Sequence, residues 1–256
     1  MRKFALTTIA AAFALTAFAN ASKAAEGTVP PDMNWSWEGL FGTYDRAQVQ
    51  RGFQVFKNVC ASCHSMHYLA FRNLEGIGFN DDQIKAIAAE YDVQDGPNEE
   101  GEMFTRSGKP ADRFPSPFPN DKAAAAANGG ATPPDLSLMA KARPHGPDYV
   151  HALLTGYEEE APAGVEMAEG KYYNHYFPGH QISMPPPLYG DDVEYTDGTK
   201  ATIEQESQDV TAFLNWIAEP ELETRKAMGM KVLLFLIVLT AMLYAVKRKI
   251  WAKIEH

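Results

Sequence analysis

Apolar residues recur at helical spacing in several parts of the chain. The first set follows Asp45, whose side chain can cap a helix, and repeats at intervals of four and three residues. Its members are Val49, Phe53, Phe56 and Cys60. Two further sets begin with capping boxes at Asn80 and Thr202, and Glu219-Pro220 ends the second of them. The pattern therefore predicts three amphipathic helices.

Two shorter helices are predicted between these three. Asn120 can cap an alanine-rich turn, which the pair Gly129-Gly130 stops. Asp148 can begin the other helix, and Gly156 closes it because glycine readily adopts the backbone conformation that ends a helix. Helices therefore account for nearly all of the regular structure that the sequence predicts.

The rest of the chain is predicted to be irregular. Residues 94–119 and 157–197 are rich in glycine, proline and charge, which is typical of long loops. Alternation with a period of two is nearly absent, and a short hairpin near residues 193–199, turning at Asp197-Gly198, is the exception. The fold class is therefore a mainly α domain with long irregular loops. So much loop for this size suggests that something other than side chains fills its centre.

The N-terminus has the three parts of a secretory signal peptide. Met1-Arg2-Lys3 is basic, residues 4–19 are apolar and rich in alanine, and small residues follow. The apolar run is short and weakly hydrophobic for a membrane span, so a signal peptide over residues 1–25 is the better interpretation. Cleavage is expected between about residues 19 and 25.

The C-terminal segment has the length and composition of a transmembrane helix. Residues 227–246 are apolar except for Lys231, and at ~1.5 Å per residue they can cross a ~30 Å hydrocarbon layer. A buried core helix would not be apolar all round and then end in the three cations Lys247-Arg248-Lys249. Because the basic side of a span stays inside, residues 26–222 are expected in the periplasm and residues 247–256 in the cytoplasm. This describes a single-pass protein of a bacterial inner membrane.

The net charge of −10 is unevenly distributed along the chain. Residues 26–223 carry 32 acidic side chains against 13 basic ones, whereas residues 224–256 carry seven basic side chains against one acidic. A body this acidic repels polyanions, which excludes ordinary nucleic-acid binding. It would instead attract a basic partner.

The two cysteines of the chain lie in the sequence Cys60-Ala61-Ser62-Cys63-His64. This C-x-x-C-H motif is the attachment sequence of c-type haem. Two thiols one turn apart can form thioethers with the two vinyl groups of a porphyrin. The next residue, His64, can then present its imidazole to the iron from the same side.

Other roles for two closely spaced cysteines fit less well. A zinc site would need a second pair of ligands with suitable spacing, and the sequence contains none. A thioredoxin-like redox pair should follow a strand, whereas this pair follows an amphipathic helix. A structural disulfide is the third alternative. Export of the chain and the complete C-x-x-C-H motif favour covalent haem over all three.

The residue on the other side of the iron is left open by this reasoning. Met66 is too close to His64 to reach round the ring, and the methionines near the two ends belong to the signal peptide or the membrane segment. The remaining candidates are Met33, Met103, Met139, Met167, Met184, His145, His151, His175 and His180. Met184 is notable because Pro185-Pro186-Pro187 stiffens the chain after it. A loop methionine that fills an apolar gap is an equally good explanation.

Several blocks of the sequence resemble cytochrome c1, the haem subunit of the ubiquinol–cytochrome c reductase, or cytochrome bc1, complex. They are GFQVFKNVCASCHSM (52–66), PPDLSLMAKAR (133–143), DYVHALLTGY (148–157), MPPPLY (184–189) and the AEP…RK.MG run (218–229). The motif C-x-x-C-H alone is generic, but these blocks in this order before a C-terminal anchor are specific. The resemblance covers essentially the whole mature chain. It implies a cytochrome c-like haem domain with one C-terminal transmembrane helix.

The resemblance also implies a set of residues around one covalent haem c. The thioether cysteines are Cys60 and Cys63, and the axial ligands are His64 and Met184. The supporting residues are Pro134 behind the His64 ring, and Arg143 and Tyr149 near the haem propionates.

The function that the resemblance implies is the relay of single electrons. The Rieske iron–sulfur protein would reduce this haem, which would pass the electron to a soluble basic cytochrome c, with cytochrome b as a further partner. The chain would then be no enzyme by itself, but an electron-transfer subunit of an oxidoreductase complex. An alternative is another membrane-anchored c-type cytochrome, such as a terminal oxidase subunit. A peroxidase would need an open position on the iron, which Met184 would close.

Overall fold

The computed structural model describes residues 27–253 and is mainly helical. The α-helices are α1 (Arg46–Asn58), α2 (Asp81–Ala89), α3 (Asp121–Ala127), α4 (Met139–Ala142), α5 (Gly146–Thr155), α6 (Ile203–Ala218) and α7 (Leu222–Trp251). Two 3-10 helices span Cys60–Ser62 and Phe71–Ile77. Two antiparallel pairs of strands join β1 (Asp92–Asp95) to β2 (Phe104–Ser107) and β3 (Tyr172–Tyr173) to β4 (Gln181–Ile182). The predicted signal peptide and residues 254–256 lie outside the described residues.

The helix caps that the sequence predicts are present. Asp45 accepts hydrogen bonds from two backbone N–H groups at the start of α1. Asn80 and Gln83 form a reciprocal capping box before α2, with distances of 2.9 Å in both directions. Thr202 accepts from the backbone N–H of Gln205 at the start of α6, but the side chain of Gln205 donates to Asp209, so the predicted capping box is only half formed. These side chains satisfy donors that the first turn of a helix leaves without partners.

The centre of the domain is the contact between α1 and α6. A Cβ atom at Gly52 on α1 would lie 1.9 Å from the backbone oxygen of Asp209 on α6, so only glycine permits this approach. Beside it, Arg51 donates from Nε and Nη2 to the two carboxylate oxygens of Asp209 at 2.9 and 3.1 Å. The side chain of Asp209 is fully buried, and this bidentate pair compensates its charge.

Aromatic side chains fill the space around this contact. Phe53 and Phe56 on α1 each have a ring centroid 5.6 Å from that of Phe213 on α6. Phe114 comes from the segment that the sequence predicts as a loop, yet it is buried, and its ring centroid lies 4.2 Å from that of Phe71. The irregular segments therefore contribute to the core as well as to the surface.

The structure differs from the sequence predictions in several places, among them β3 and β4, which lie within the predicted loop 157–197. Residues 94–119 include β2 and the end of β1, whose sequences DVQD and FTRS have no apolar alternation that would indicate strands. Helix α5 begins at Gly146, two residues before the predicted start at Asp148. Residues 193–199 contain a turn, closed by the hydrogen bond from Gly198 N to Tyr195 O at 3.1 Å, but no strand.

Helix α7 is the one helix among residues 27–253 that is long and apolar enough to cross a membrane. Its most apolar 18-residue window has a mean hydropathy of 2.2, and none of that window is buried in the protein. After Lys226 nearly all of its side chains are exposed, which is the environment that a lipid-facing helix requires.

The first turns of α7 pack on the domain. Leu222 is buried, and Glu223 accepts a hydrogen bond from the backbone N–H of Tyr44 at 2.7 Å. Lys226 donates to the backbone oxygens of Gly42, at 3.1 Å, and of Trp37. The contacts between the domain and this helix therefore extend four residues beyond Leu222, the end of the predicted periplasmic domain.

Candidate haem site

The two cysteines and the histidine of the motif lie on one short turn. Helix α1 ends at Asn58, and the chain continues through the 3-10 helix Cys60–Ser62. The backbone N–H groups of Cys63 and His64 both donate to the oxygen of Cys60, at 3.2 and 2.9 Å. All three functional side chains are half-buried. The turn thus brings two thiols and one imidazole together at the edge of the aromatic core.

The ring of His64 is held by the residue that the family resemblance assigns to this task. Its Nδ1 lies 2.8 Å from the backbone oxygen of Pro134. Since a carbonyl oxygen only accepts, Nδ1 carries the proton in this bond, which leaves Nε2 as the nitrogen that can bind a metal. Burial lowers the pKa of His64, although the bond to Pro134 and the charge of Asp135 oppose this effect. The neutral imidazole is the form that binds iron.

Asp135 joins the segment after Pro134 to the segment after His64. Its Oδ2 accepts from the hydroxyl of Ser65 at 2.8 Å and from the backbone N–H of His67 at 2.9 Å. Its Oδ1 accepts from the N–H of Ser137 at 2.9 Å. Although burial opposes them, these hydrogen bonds hold the pKa of Asp135 below its ordinary value. The carboxylate therefore fixes the position from which Pro134 supports the histidine.

Arg143 and Tyr149 lie on either side of the start of α5. Arg143 is exposed, and its guanidinium contacts the backbone oxygen of Ala142 at 3.3 Å. Tyr149 is half-buried, and burial raises its pKa, an effect that the nearby charge of Arg143 partly offsets. The two side chains are therefore close enough to interact electrostatically. A cationic donor and a phenol can both form hydrogen bonds to a carboxylate.

Met184 is held by a tyrosine that the sequence reasoning did not single out. The hydroxyl of Tyr157 donates to the backbone oxygen of Met184 at 3.1 Å. Burial and the nearby Tyr149 raise the pKa of Tyr157, so its hydroxyl stays protonated. Tyr149, which affects the pKa of Tyr157 electrostatically, therefore lies in the neighbourhood of the Met184 loop. The side chain of Met184 is half-buried.

Several of the other candidate ligands have different roles in the structure. His151 is buried, with Nδ1 2.9 Å from the hydroxyl of Ser207 and Nε2 3.3 Å from Glu204. Met33 and Met139 pack against the hydrophobic core. Met66, which the sequence already excludes as a ligand, is a core residue that is 1% exposed. Each of these side chains therefore has a structural explanation.

The donor chemistry fits a covalently attached haem. Cys60 and Cys63 are free thiols in this structure. Burial, with a smaller effect of Cys63, raises the pKa of Cys60 to about 12, whereas a thioredoxin-like redox pair needs a lowered thiol pKa. Within residues 27–253 no cluster of three or more His, Cys, Asp or Glu side chains could hold a metal ion, so a zinc site has no support.

Two thiols followed by an imidazole, in a helical domain that ends in an apolar helix, are the features of membrane-anchored c-type cytochromes. Comparisons with known proteins narrow this class, because residues 35–254 match the Cytochrome C1 family. The chain is 55% identical to cytochrome c1 of Rhodospirillum rubrum over 97% of each chain. The chain belongs to the cytochrome c1 family, which implies a haem c cofactor.

Two further relatives carry names that refer to a larger assembly. The cytochrome b-c1 complex catalytic subunit, mitochondrial, of Candida albicans is 49% identical over 93% of this chain and 83% of its own length. The cytochrome b/c1 of Bradyrhizobium diazoefficiens is 51% identical over 90% of this chain and 37% of its own length.

Sequence reasoning missed Tyr157 and Asp135. Asp135 had a local signal, because the order Asp-x-Ser after two prolines is typical of a turn in which the aspartate accepts from the backbone two residues later. Tyr157 had none, since its partner Met184 is 27 residues further along the chain. The assignments of Cys60, Cys63, His64, Met184, Pro134, Arg143 and Tyr149 to the haem stay predictions.

Proposed function

We propose that this chain is the c-type cytochrome subunit of a cytochrome bc1 complex, and that it relays single electrons from the Rieske iron–sulfur protein to a soluble basic cytochrome c. The hydrogen bond between His64 and Pro134 is the observation that carries this proposal. It orients an imidazole beside two free thiols on one turn, which is what attachment and ligation of a haem require.

In this proposal the haem is attached through Cys60 and Cys63 and bound axially by His64 and Met184. When bound, the haem supplies a one-electron couple between ferric and ferrous iron. Pro134 sets the direction of the imidazole, and Tyr157 restrains the backbone of Met184. A thioether ligand favours the ferrous state, so the pair His64 and Met184 would raise the reduction potential.

Arg143 and Tyr149 would bind the two propionates of the haem. A guanidinium compensates the charge of a carboxylate, and a phenol with a raised pKa remains a hydrogen-bond donor. Tyr149 is near enough to Tyr157 to affect its pKa, so the propionate side and the ligand loop would be neighbours.

The partners and the topology follow from charge and hydropathy. Helix α7 would anchor the chain in a bacterial inner membrane beside cytochrome b, with the haem domain in the periplasm and residues 247–256 in the cytoplasm. The names of the relatives support membership in a cytochrome b-c1 complex. The acidic body would guide a basic cytochrome c to the domain.

Purification of the full chain from its own membranes in mild detergent tests this proposal. A tag on this chain should recover b-type haem and an iron–sulfur signal, and ubiquinol should reduce a basic cytochrome c through the purified complex. Variants with alanine at Cys60 and Cys63 should retain neither covalent haem nor this activity. Recovery of the chain with copper and oxidase subunits instead would support the terminal-oxidase alternative.

A further inference from the structure

Two carboxyl groups fix the far end of the loop that begins at Met184. The Oδ2 atom of Asp192 accepts from the backbone N–H groups of Tyr189, at 2.6 Å, and Gly190, at 3.1 Å. The backbone N–H of Asp192 in turn donates to Oε1 of Glu206 at 3.1 Å. Glu206 lies in the first turn of α6, and its side chain is fully buried. Asp192 therefore connects the Met184 loop to the central helix of the domain.

The chain between Met184 and Asp192 has little conformational freedom. Residues Pro185-Pro186-Pro187 have fixed φ angles and favour an extended conformation. Leu188 is only 5% exposed and packs in the core, and Tyr157 holds the backbone oxygen of Met184. Asp192 and Tyr157 therefore hold the two ends of one stiff segment, which carries Met184.

Within residues 27–253, one carboxyl oxygen of Glu206 lacks the hydrogen-bond partner that a buried polar atom normally has. Its Oε2 is buried and has no hydrogen-bond partner among the described residues. The titratable groups that face it are Asp192 from the loop and Tyr195 from the segment after it, while the backbone N–H of Val193 favours the ionised form. In these acidic surroundings a proton is the species that neutralises Glu206. Burial, and then the charge of Asp192, accordingly raise the pKa of Glu206 to about 7.

We propose that Glu206 is a positioning residue for Met184, which holds the ligand loop closed through Asp192 while its carboxyl group is protonated and releases the loop when it is ionised. This inference rests on the proposed role of Met184 as the axial ligand. A neutral Glu206 can donate its proton to the carboxylate of Asp192 and still accept from the N–H of that residue. An ionised Glu206 places a second negative charge beside the carboxylate of Asp192 in a buried site. Opening the loop would relieve this repulsion.

The direction of the pH dependence follows from proton linkage. In an open loop Glu206 is solvated, and its pKa is near the ordinary value of 4.5, whereas in the closed loop the pKa is about 7. Between these two values the closed loop keeps a proton that the open loop loses. The closed loop is therefore most stable below the lower pKa. As the pH rises above that value, the equilibrium constant for closing the loop falls by up to about tenfold per pH unit. Above the higher pKa, Glu206 is ionised in both forms of the loop, so the equilibrium between them no longer depends on pH.

Titration of the ferric, haem-loaded full chain with imidazole tests this inference, because imidazole must displace Met184 to bind the iron. The affinity, expressed per neutral imidazole, should rise with pH up to about pH 7 in the wild type and then level off. Glu206→Gln imitates the protonated carboxyl, so its affinity should stay low and independent of pH. The control is Glu194→Gln, which removes an exposed carboxylate from the same segment and should follow the wild type.

The outcomes separate this inference from the ligand assignment. A thioether bound to ferric haem iron gives a weak absorption band at long wavelength, and the wild type should show it. If the band is present and Glu206→Gln has the same pH profile as the wild type, the inference is wrong while the ligation by Met184 stands. If the wild type lacks the band, both are wrong.

A second variant covers the case in which Glu206→Gln does not fold. Asp192→Asn keeps an acceptor for the two backbone N–H groups but removes the charge that helps to raise the pKa of Glu206. The rise in imidazole affinity should then end at a lower pH than in the wild type. An end point at the wild-type pH would overturn the inference.

Discussion

The substitution Tyr157→Phe should loosen the attachment of Met184 while the packing around it stays the same. The hydroxyl of Tyr157 donates to the backbone oxygen of Met184 at 3.1 Å, and phenylalanine keeps the ring but lacks this donor. Burial raises the pKa of Tyr157, so the hydroxyl is protonated at neutral pH. The whole contribution of the bond is therefore present in the wild type and absent in the variant.

The size of the effect follows from the energy of one neutral hydrogen bond. Such a bond contributes about 0.5–1.5 kcal/mol, and the carbonyl of Met184 would have to find another donor in a half-buried site. This corresponds to an affinity for an added ligand that is about 2- to 13-fold higher, because the ligand displaces a less restrained methionine. Titration of the ferric protein with imidazole, followed through the loss of the thioether absorption band, measures this ratio directly.

A matched variant separates loss of this bond from the general effect of removing a phenol. Tyr244→Phe removes an exposed hydroxyl from α7, outside the haem domain, and should leave the imidazole affinity unchanged. If Tyr157→Phe has the wild-type affinity and an intact absorption band, the bond from Tyr157 does not restrain Met184.

The parts of the fold that the sequence predicts correctly depend on residues close together in the chain. The caps at Asp45, Asn80 and Thr202 act within three residues, so their patterns are visible without a structure. The Cys60–His64 motif is equally local, because one turn brings its three functional side chains together. Amphipathic spacing predicts α1, α2 and α6 for the same reason, whereas the short helix α4 carries no such pattern.

The supporting contacts of the site could not be predicted because they join distant parts of the chain. Pro134 meets His64 across 70 residues, and only the family resemblance indicated that pairing. Asp192 and Glu206 come together because the stiff loop ends against α6. The strands β1 and β2 were missed for another reason, since both are short and polar and are defined by their mutual hydrogen bonds.

The end of the haem domain is a further case in which tertiary contacts extend a local prediction. Pro220 interrupts the helical pattern, which is why the sequence places the end of the domain at Leu222. In the structure α7 begins at once, and Glu223 and Lys226 bind the segment around Tyr44. The first turns of α7 are therefore also a part of the domain.

Three further results are expected. Met184→Leu should retain covalent haem but show a lower midpoint potential in a redox titration, because the soft thioether is lost; an unchanged potential would place the ligand elsewhere. The on-rate for a basic cytochrome c should fall steeply with salt, since the Debye length is ~10 Å at 0.1 M, and a flat profile would exclude steering by the acidic body. Soluble chains that end after Leu222 and after Lys226 should both bind haem, because the proposed ligands all precede α7. Only the longer chain keeps the hydrogen bonds of Glu223 and Lys226, each of which contributes about 1 kcal/mol to the free energy of unfolding. Its thermal unfolding midpoint should therefore be higher by several degrees. Equal midpoints would mean that the first turns of α7 contribute nothing to the domain, and loss of haem from both chains would mean that the rest of the helix supports the site.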